Sequence, residues 1–127
     1  MHVLVNGVRL FFDIEGAKLV PDGPVMREKP TLLMLHGGPG SDHSIYRPAY
    51  SGLADIVQVV YLDHRGSGRS ERGSVERWKL DQWADDVRSF CDTLEIEKPD
   101  RDWSVVRRLG RHDVCGSPPR ASVKACR

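Results

Sequence analysis

Two predominantly apolar runs, each closed by a glycine-rich loop, constrain the fold of this chain more than any other feature. The first is TLLMLHG, from Thr31 to Gly37, and the second extends from Ile56 to Leu62. An apolar run of this length between turn residues is typical of a strand buried on both faces, and such strands are characteristic of parallel sheets. The sequence therefore predicts an α/β fold in which these two strands lie side by side.

The segments before the second run predict a hairpin, a loop and a short helix. Apolar residues alternate on both sides of Asn6-Gly7, which is the pattern of a β-hairpin with a two-residue turn. Residues 16–30 are rich in Gly and Pro and are predicted to form a loop. Residues 42–55 are predicted to form a short helix, in which Pro48 lies in the first turns or breaks the helix.

An amphipathic helix is predicted over residues 80–96. Its apolar face would consist of Leu80, Trp83, Val87, Phe90 and Leu94, and its acidic residues would face solvent. The order strand, loop, helix, strand, loop, helix is that of a parallel sheet with crossover helices.

The pattern ends after Pro99, where another buried strand would be expected. Residues 1–99 carry 12 basic and 15 acidic residues, whereas residues 100–127 carry seven basic and three acidic residues. The sequence predicts a partial α/β domain over residues 1–99 and a disordered basic tail without a strand over residues 100–127.

The two glycine-rich loops contain the residues that could bind a ligand or take part in catalysis. LHGGPG (residues 35–40) and DHRGSGRS (residues 63–70) follow the carboxyl ends of the predicted strands, where open α/β sheets bind ligands. Glycines in the first loop allow positive φ and could direct backbone N–H groups at a developing oxyanion. From these glycines alone, an ordinary Gly-Pro turn is an equally good interpretation.

In the second loop, Asp63 and Arg65 could stabilise the loop by charge-assisted hydrogen bonds. A phosphate-binding role for Gly66-Ser67-Gly68 is disfavoured, since neither GxGxxG nor GxxxxGK[ST] is present.

Together, HGGPG, the D-x-R-G-x-G-x-S loop and the helix that follows resemble the α/β-hydrolase family, and most nearly its proline iminopeptidase-like branch of serine hydrolases. The resemblance covers about Val3 to Pro99. It implies that Gly38 donates its N–H to the oxyanion, and it implies structural roles for His36, Asp63 and His64. Trp83 and Phe90 are interpreted as core residues. The resemblance also implies two loop motifs. The oxyanion-loop motif consists of His36, Gly37, Gly38, Pro39 and Gly40. The structural-loop motif consists of Asp63, Arg65, Gly66, Gly68 and Ser70.

The catalytic triad expected from this resemblance is missing. The family's nucleophile lies in a G-x-S-x-G turn between a strand and a helix, and an acid and a histidine follow it. No serine of this sequence has glycine both two residues before it and two residues after it. We therefore expect no catalytic residue in the chain and no activity of the chain alone. The intact form would hydrolyse amide or ester bonds through a serine nucleophile, with an N-terminal proline residue as the best specific substrate.

The codons of the tail suggest how the nucleophile was lost. Standard codons for residues 100–108 can be chosen so that, when they are read from the second base of each codon, they encode Ile-Val-Ile-Gly-x-Ser-Phe-Gly-Gly. This sequence has the pattern of a buried strand followed by the missing turn. We hypothesise that residues 100–127 are translated from a shifted frame. The alternative is a genuine arginine-rich segment in a non-catalytic interaction protein, which would use its partial sheet and its basic tail to bind a partner.

Composition excludes several other classes of function. The formal net charge of +1 gives no field that would select nucleic acid. The spacing of Cys91, Cys115 and Cys126 forms neither a zinc motif nor a disulfide framework, so no metal and no cofactor are expected. No apolar run reaches the about 18 residues of a membrane span, and the N-terminus lacks the pattern of a signal peptide. We expect a cytoplasmic protein that binds neither nucleic acid nor membrane, and only its intact form is expected to bind a small-molecule or peptide substrate.

Overall fold

A five-stranded sheet forms the centre of the molecule. The computed structural model describes residues 1–38 and 40–96, together with the backbone of the two-residue strand at 106–107. The strands in chain order are β1 (His2–Val5), β2 (Val8–Glu15), β3 (Leu19–Asp22), β4 (Val25–Glu28), β5 (Thr31–Leu35), β6 (Gln58–Leu62) and β7 (Val106–Arg107). Five of them lie in the order β1-β2-β6-β5-β7, and β3 and β4 form a separate two-stranded sheet. The predicted α/β class is confirmed.

The hairpin predicted at Asn6-Gly7 is confirmed. Strands β1 and β2 pair antiparallel with Val5 opposite Val8, which leaves two residues in the turn. Asn6 and Gly7 both have positive φ, 47° and 78°. These are the residue types that adopt this conformation at low cost, which is why the dipeptide fixes the hairpin register.

Strands β5 and β6 pair in parallel, as their apolar sequences predict. Leu35 lies opposite Leu62 at the carboxyl ends, so both strands end at the same edge of the sheet. Strand β6 begins at Gln58, two residues later than predicted, and Ile56 is exposed. Apolar clusters cover both faces of the pair: Leu33, Val60 and Leu62 lie on one face, and Leu32, Met34, Val59 and Tyr61 lie on the other.

Two predicted connections have a different structure. Residues 16–30 are not a plain loop, because β3 and β4 form a hairpin with Asp22 opposite Val25. Its two turn residues are Gly23 and Pro24, and the sequence signal is Gly23, whose positive φ suits the first position of such a turn, between two short apolar segments. The predicted helix over residues 42–55 consists of two 3₁₀ segments, His43–Tyr46 and Ser51–Asp55. Pro48 lies between them and lacks the N–H that a continuous helix needs.

Helix α1 spans Leu80–Thr93 and covers one face of the sheet. Phe90 and Cys91 are buried in the cluster beneath it, whereas Leu80, predicted on the apolar face, is exposed. The prediction that all acidic residues of the helix face solvent is wrong at Asp86. This residue is only 1% exposed, because its carboxylate has a buried partner that lies far away in the sequence.

The tail contributes one short strand. Strand β7 pairs in parallel with β5, with backbone partners Met34 and Val106, and Leu35 and Arg107. The sequence predicts no strand in this segment, and the unpaired edge of β5 supplies the backbone groups for one. The rest of the prediction for residues 100–127 lies outside the described residues.

Candidate active-site loops

The two glycine-rich loops leave the sheet side by side. Their strands are parallel and in register, so the loops beginning at His36 and Asp63 emerge at the same edge. This is the edge where α/β sheets bind ligands, as expected from the sequence. Pro39 of the first loop lies outside the described residues.

Asp63 connects the two loops through buried hydrogen bonds. Its side chain is fully buried, and Oδ1 accepts from the His43 N–H at 2.8 Å and lies 2.9 Å from His43 Nδ1. Oδ2 accepts from the Arg69 N–H at 3.1 Å. The Asp63 carbonyl accepts a hydrogen bond from Ser70 Oγ at 2.7 Å, and Ser70 Oγ in turn accepts one from the Phe11 N–H at 2.7 Å. Because these donors surround a buried carboxylate, Asp63 connects the second loop to the segment that follows the first, and its side chain is not exposed to solvent.

Sequence reasoning missed His43. A buried carboxylate needs several donors to offset its loss of hydration, but nothing in the sequence indicates which residues supply them. His43 begins the first 3₁₀ segment, which Asp42 caps by accepting from the Ser44 N–H. The sequence signal for His43 is limited to its position three residues after the HGGPG loop.

Arg65 ties the second loop to helix α1 and to the first hairpin. It does not bond to Asp63. Its Nε lies 2.8 Å from Asp86 Oδ2 and its Nη2 lies 2.9 Å from Asp86 Oδ1. Nη2 also donates to the Asn6 carbonyl at 3.2 Å. Burial alone would raise the pKa of Asp86, but the hydrogen bonds from Arg65, Asn6 and Gln82 outweigh it and hold the pKa below its ordinary value.

His36 and His64 form a second connection between the loops. The backbone N–H of His64 donates to His36 Nε2 at 3.0 Å, which places the proton of neutral His36 on Nδ1. The two rings meet edge to face at 4.7 Å, and His64 stacks on Trp83 at 5.3 Å. Trp83 is therefore only partly a core residue, since its ring also supports the second loop.

Burial lowers the pKa of both histidines. For His36, desolvation outweighs the opposing effect of the Asp63 carboxylate. For His64, desolvation together with the neighbouring His36 lowers the pKa to about 4. Both rings are therefore neutral at neutral pH, and His36 acts as a hydrogen-bond acceptor that positions the loop.

Because the pKa of both histidines is lowered in the folded chain, we expect the folded chain to lose stability in acid. The unfolded chain binds a proton at His64 near the ordinary pKa of 6.5, whereas the folded chain resists it until about pH 4. For His64 this stabilisation is complete above about pH 6.5 and is lost as the pH falls towards 4, at up to about 1.4 kcal/mol per pH unit, and the lowered pKa of His36 acts in the same direction. Denaturant unfolding from about pH 7 to about pH 5 measures this slope.

A His64→Asn variant should flatten that slope, whereas the same change at exposed His2 should not. An unchanged slope in His64→Asn would contradict the assignment. In that case another group, among those described or elsewhere in the chain, would have to account for the acid sensitivity.

The glycines of the two loops differ in what surrounds them. Gly38 and Gly40 have positive φ, 73° and 90°, and a side chain at either position would meet nothing within 4 Å. A Cβ at Gly66 would lie 2.6 Å from the Trp78 ring, and one at Gly68 would lie 2.6 Å from Asp63 Cγ. The second loop therefore needs glycine for space as well as for conformation, whereas the first needs it for conformation alone. Gly38 also makes no hydrogen bond through its N–H to another described residue.

Metal and membrane sites receive no support from the described part of the chain. No group of three or more His, Cys, Asp or Glu residues in it could hold a metal ion. None of its helices is both long enough and apolar enough to cross a membrane.

Comparison with known proteins identifies the family. Residues 30–100, more than half of the chain, match the alpha/beta hydrolase fold family. The chain belongs to the alpha/beta hydrolase fold family. The matched region includes both loops, strands β5 and β6, and helix α1.

Several hydrolases are similar to this chain over a limited part of their length. Proline iminopeptidase from Thermoplasma volcanium is 28% identical over 89 residues, which are 69% of this chain and 27% of that protein. 3-Oxoadipate enol-lactonase 1 from Acinetobacter baylyi is 31% identical over 71 residues, which are 56% of this chain and 26% of that protein. The crystal structure of the enol-lactonase from Burkholderia xenovorans superposes with a TM-score of 0.62 at 28% identity, covering 76% of this chain and 34% of that chain. The chain thus spans about a quarter to a third of the length of these relatives.

Proposed function

We propose that the intact form of this alpha/beta hydrolase cleaves amide or ester bonds through a serine nucleophile, and that Gly38 supplies one of the oxyanion donors. The observation that carries this proposal is the Gly38 N–H, which has no partner among the described residues and lies at the carboxyl edge of the parallel strands. Hydrogen-bond donors of this kind stabilise the charge that develops on the carbonyl oxygen.

The rest of the loop geometry supports the same role. Preorganisation matters, because a donor that has to be ordered during the reaction contributes less to transition-state stabilisation. His36 begins the loop and accepts a hydrogen bond from the His64 N–H, while Asp63 fixes His43 beyond the loop. The Gly38 donor is therefore flanked on both sides by buried anchors.

N-terminal proline aminopeptidase activity is the specific reaction that we propose. It is supported by the HGGPG and D-x-R-G-x-G-x-S motifs and by the similarity to proline iminopeptidases. The similarity to enol-lactonases makes ester cleavage the competing reaction. The substrate would be a peptide or a small molecule, in the cytoplasm, and we propose no cofactor and neither nucleic acid nor membrane as a partner.

We further propose that the chain of 127 residues is inactive by itself and that residues 100–127 come from a shifted reading frame. The chain contains no G-x-S-x-G sequence, so it lacks the nucleophile that the mechanism requires. One base of shift makes the tail compatible with the strand and turn that would carry this nucleophile. The nucleotide sequence across codon 100 tests the shift directly.

The enzymatic test compares the chain as it stands with the product of the frame-restored gene. Both are assayed with an aryl amide of proline, an aryl amide of alanine and an aryl ester. We expect background rates from the present chain and preferential cleavage of the proline amide by the restored protein. Preferential ester cleavage by the restored protein would support the hydrolase proposal and contradict the proposed proline substrate. Hydrolysis by the present chain would contradict the proposal that it is inactive by itself.

If no frame around codon 100 restores the strand and turn, the frameshift proposal fails. The non-catalytic interaction protein would then be the better hypothesis. A monomeric, cooperatively folded chain that binds an acidic partner in a salt-sensitive manner would support it.

A further inference from the structure

A polar cleft lies between the first hairpin turn, the 3₁₀ segment Val75–Arg77 and helix α1. Its volume is about 440 Å³, which is sufficient for a small organic acid or a phosphate ester. None of its lining residues belongs to the two glycine-rich loops. The lining consists of Asn6, Arg77, Gln82, Asp85, Arg88 and Ser89.

The charges around the cleft leave one unpaired cation. Arg88 lies 3.1 Å from Asp85 in an exposed pair. Beneath the cleft, the Arg65 guanidinium neutralises the Asp86 carboxylate in a buried pair. Arg77 makes no ion pair with any other described residue, so the lining carries a net positive charge.

The amide groups of the cleft are held in place from below. The Asn6 and Gln82 side-chain amides both donate to Asp86 Oδ1, at 2.9 Å and 3.0 Å. Each side-chain amide carries two N–H groups, so one remains for a ligand. Because Asp86 is fixed by Arg65, these two donors are oriented before any ligand binds.

We propose that this cleft binds a small oxyanion, a carboxylate or a phosphate, with Arg77 as the charged partner and the amides of Asn6 and Gln82 as further donors. An apolar ligand would leave these polar groups without partners, which costs free energy. A cation would meet the unpaired Arg77 guanidinium and be repelled. An oxyanion satisfies both the charge and the free N–H groups, and a guanidinium can bind it through two parallel hydrogen bonds.

The test is a titration of the full chain followed by two-dimensional NMR, with inorganic phosphate in one arm and acetate in the other. Sodium chloride at matched ionic strength is the control for screening. We expect saturable shifts of the Asn6 and Gln82 side-chain amide signals with one or both oxyanions. Saturation with phosphate alone identifies a phosphate site, and saturation with acetate alone identifies a carboxylate site.

Two substitutions decide whether Arg77 is the charged partner. Arg77→Ala should weaken binding about tenfold, and Arg77→Lys should restore part of the loss. Arg72→Ala is the matched control, because Arg72 is also exposed and does not line the cleft. Equal shifts with chloride, shifts that do not saturate, or the same affinity in Arg77→Ala would overturn the proposal.

Discussion

Replacing Asp86 by alanine is expected to lower the free energy of unfolding by about 3–5 kcal/mol. The substitution leaves the Arg65 guanidinium buried without its carboxylate, and both side chains of the pair are at most 2% exposed. It also removes the acceptor of the Asn6 and Gln82 amides. Since small domains are stable by only about 5–15 kcal/mol, the loss should be visible as a large shift of the urea midpoint.

The control is Asp85→Ala at the neighbouring position of the same helix. Asp85 pairs with Arg88 at 3.1 Å, but both side chains are about 60% exposed. An exposed pair of this kind contributes about 0–1 kcal/mol, so the control should unfold close to the parent chain. Similar losses in Asp85→Ala and Asp86→Ala would contradict the role given to the buried pair.

A double substitution separates the unpaired charge from the loss of packing. Arg65→Met combined with Asp86→Leu replaces the pair by apolar side chains, so that neither charge of the pair remains buried. Such replacements are often neutral or stabilising, so the double variant should be more stable than Asp86→Ala. If Asp86→Ala does not fold at all, Asp86→Asn provides the measurement, because its amide oxygen still accepts from the guanidinium.

Local sequence patterns predicted the elements of this fold that depend on residues close together in the sequence. Strands β5 and β6 follow from predominantly apolar runs, because burial on both faces removes the usual alternation. The first hairpin follows from Asn6-Gly7, whose residues tolerate positive φ. The positions of the two loops at one edge follow in turn from the parallel pairing of these strands.

The elements that were missed depend on partners distant in sequence. Asp86 has the pattern of a solvent-exposed helix residue, and its contacts with Arg65, 21 positions away, and with Asn6, 80 positions away, explain its burial. His43 likewise reaches Asp63 across 20 positions. Periodicity along a helix reports which residues are apolar, but it does not report which charged residue will find a buried counterion.

Steric contacts between distant residues are equally invisible in the sequence. The motif D-x-R-G-x-G-x-S contains two glycines, and both have positive φ in the structure. The sequence indicates the conformation but not the contacts, which come from Trp78 for Gly66 and from Asp63 for Gly68. The structure therefore distinguishes these glycines from the unobstructed ones in the first loop.

Replacing Gly68 by alanine is expected to destabilise the chain by about 3 kcal/mol or more. A positive φ, 51° at this residue, costs an L side chain about 1–2 kcal/mol. The added Cβ would also lie 2.6 Å from Asp63 Cγ and 2.8 Å from Asp42 Cβ. Because Asp63 is fully buried, its carboxylate can move only by losing its bonds to His43 and Arg69. Each buried group left without a partner adds about 1–3 kcal/mol.

Gly23→Ala isolates the conformational part of this loss. Gly23 also has positive φ, 62°, but a side chain there would meet nothing within 4 Å. It should therefore cost only the about 1–2 kcal/mol of the backbone conformation. Thermal unfolding of the three chains measures the difference, and amide NMR of His43 and Arg69 shows whether their hydrogen bonds to Asp63 are lost. If Gly68→Ala and Gly23→Ala unfold at the same temperature with the His43 and Arg69 signals unchanged, Asp63 does not connect the two loops in the way described.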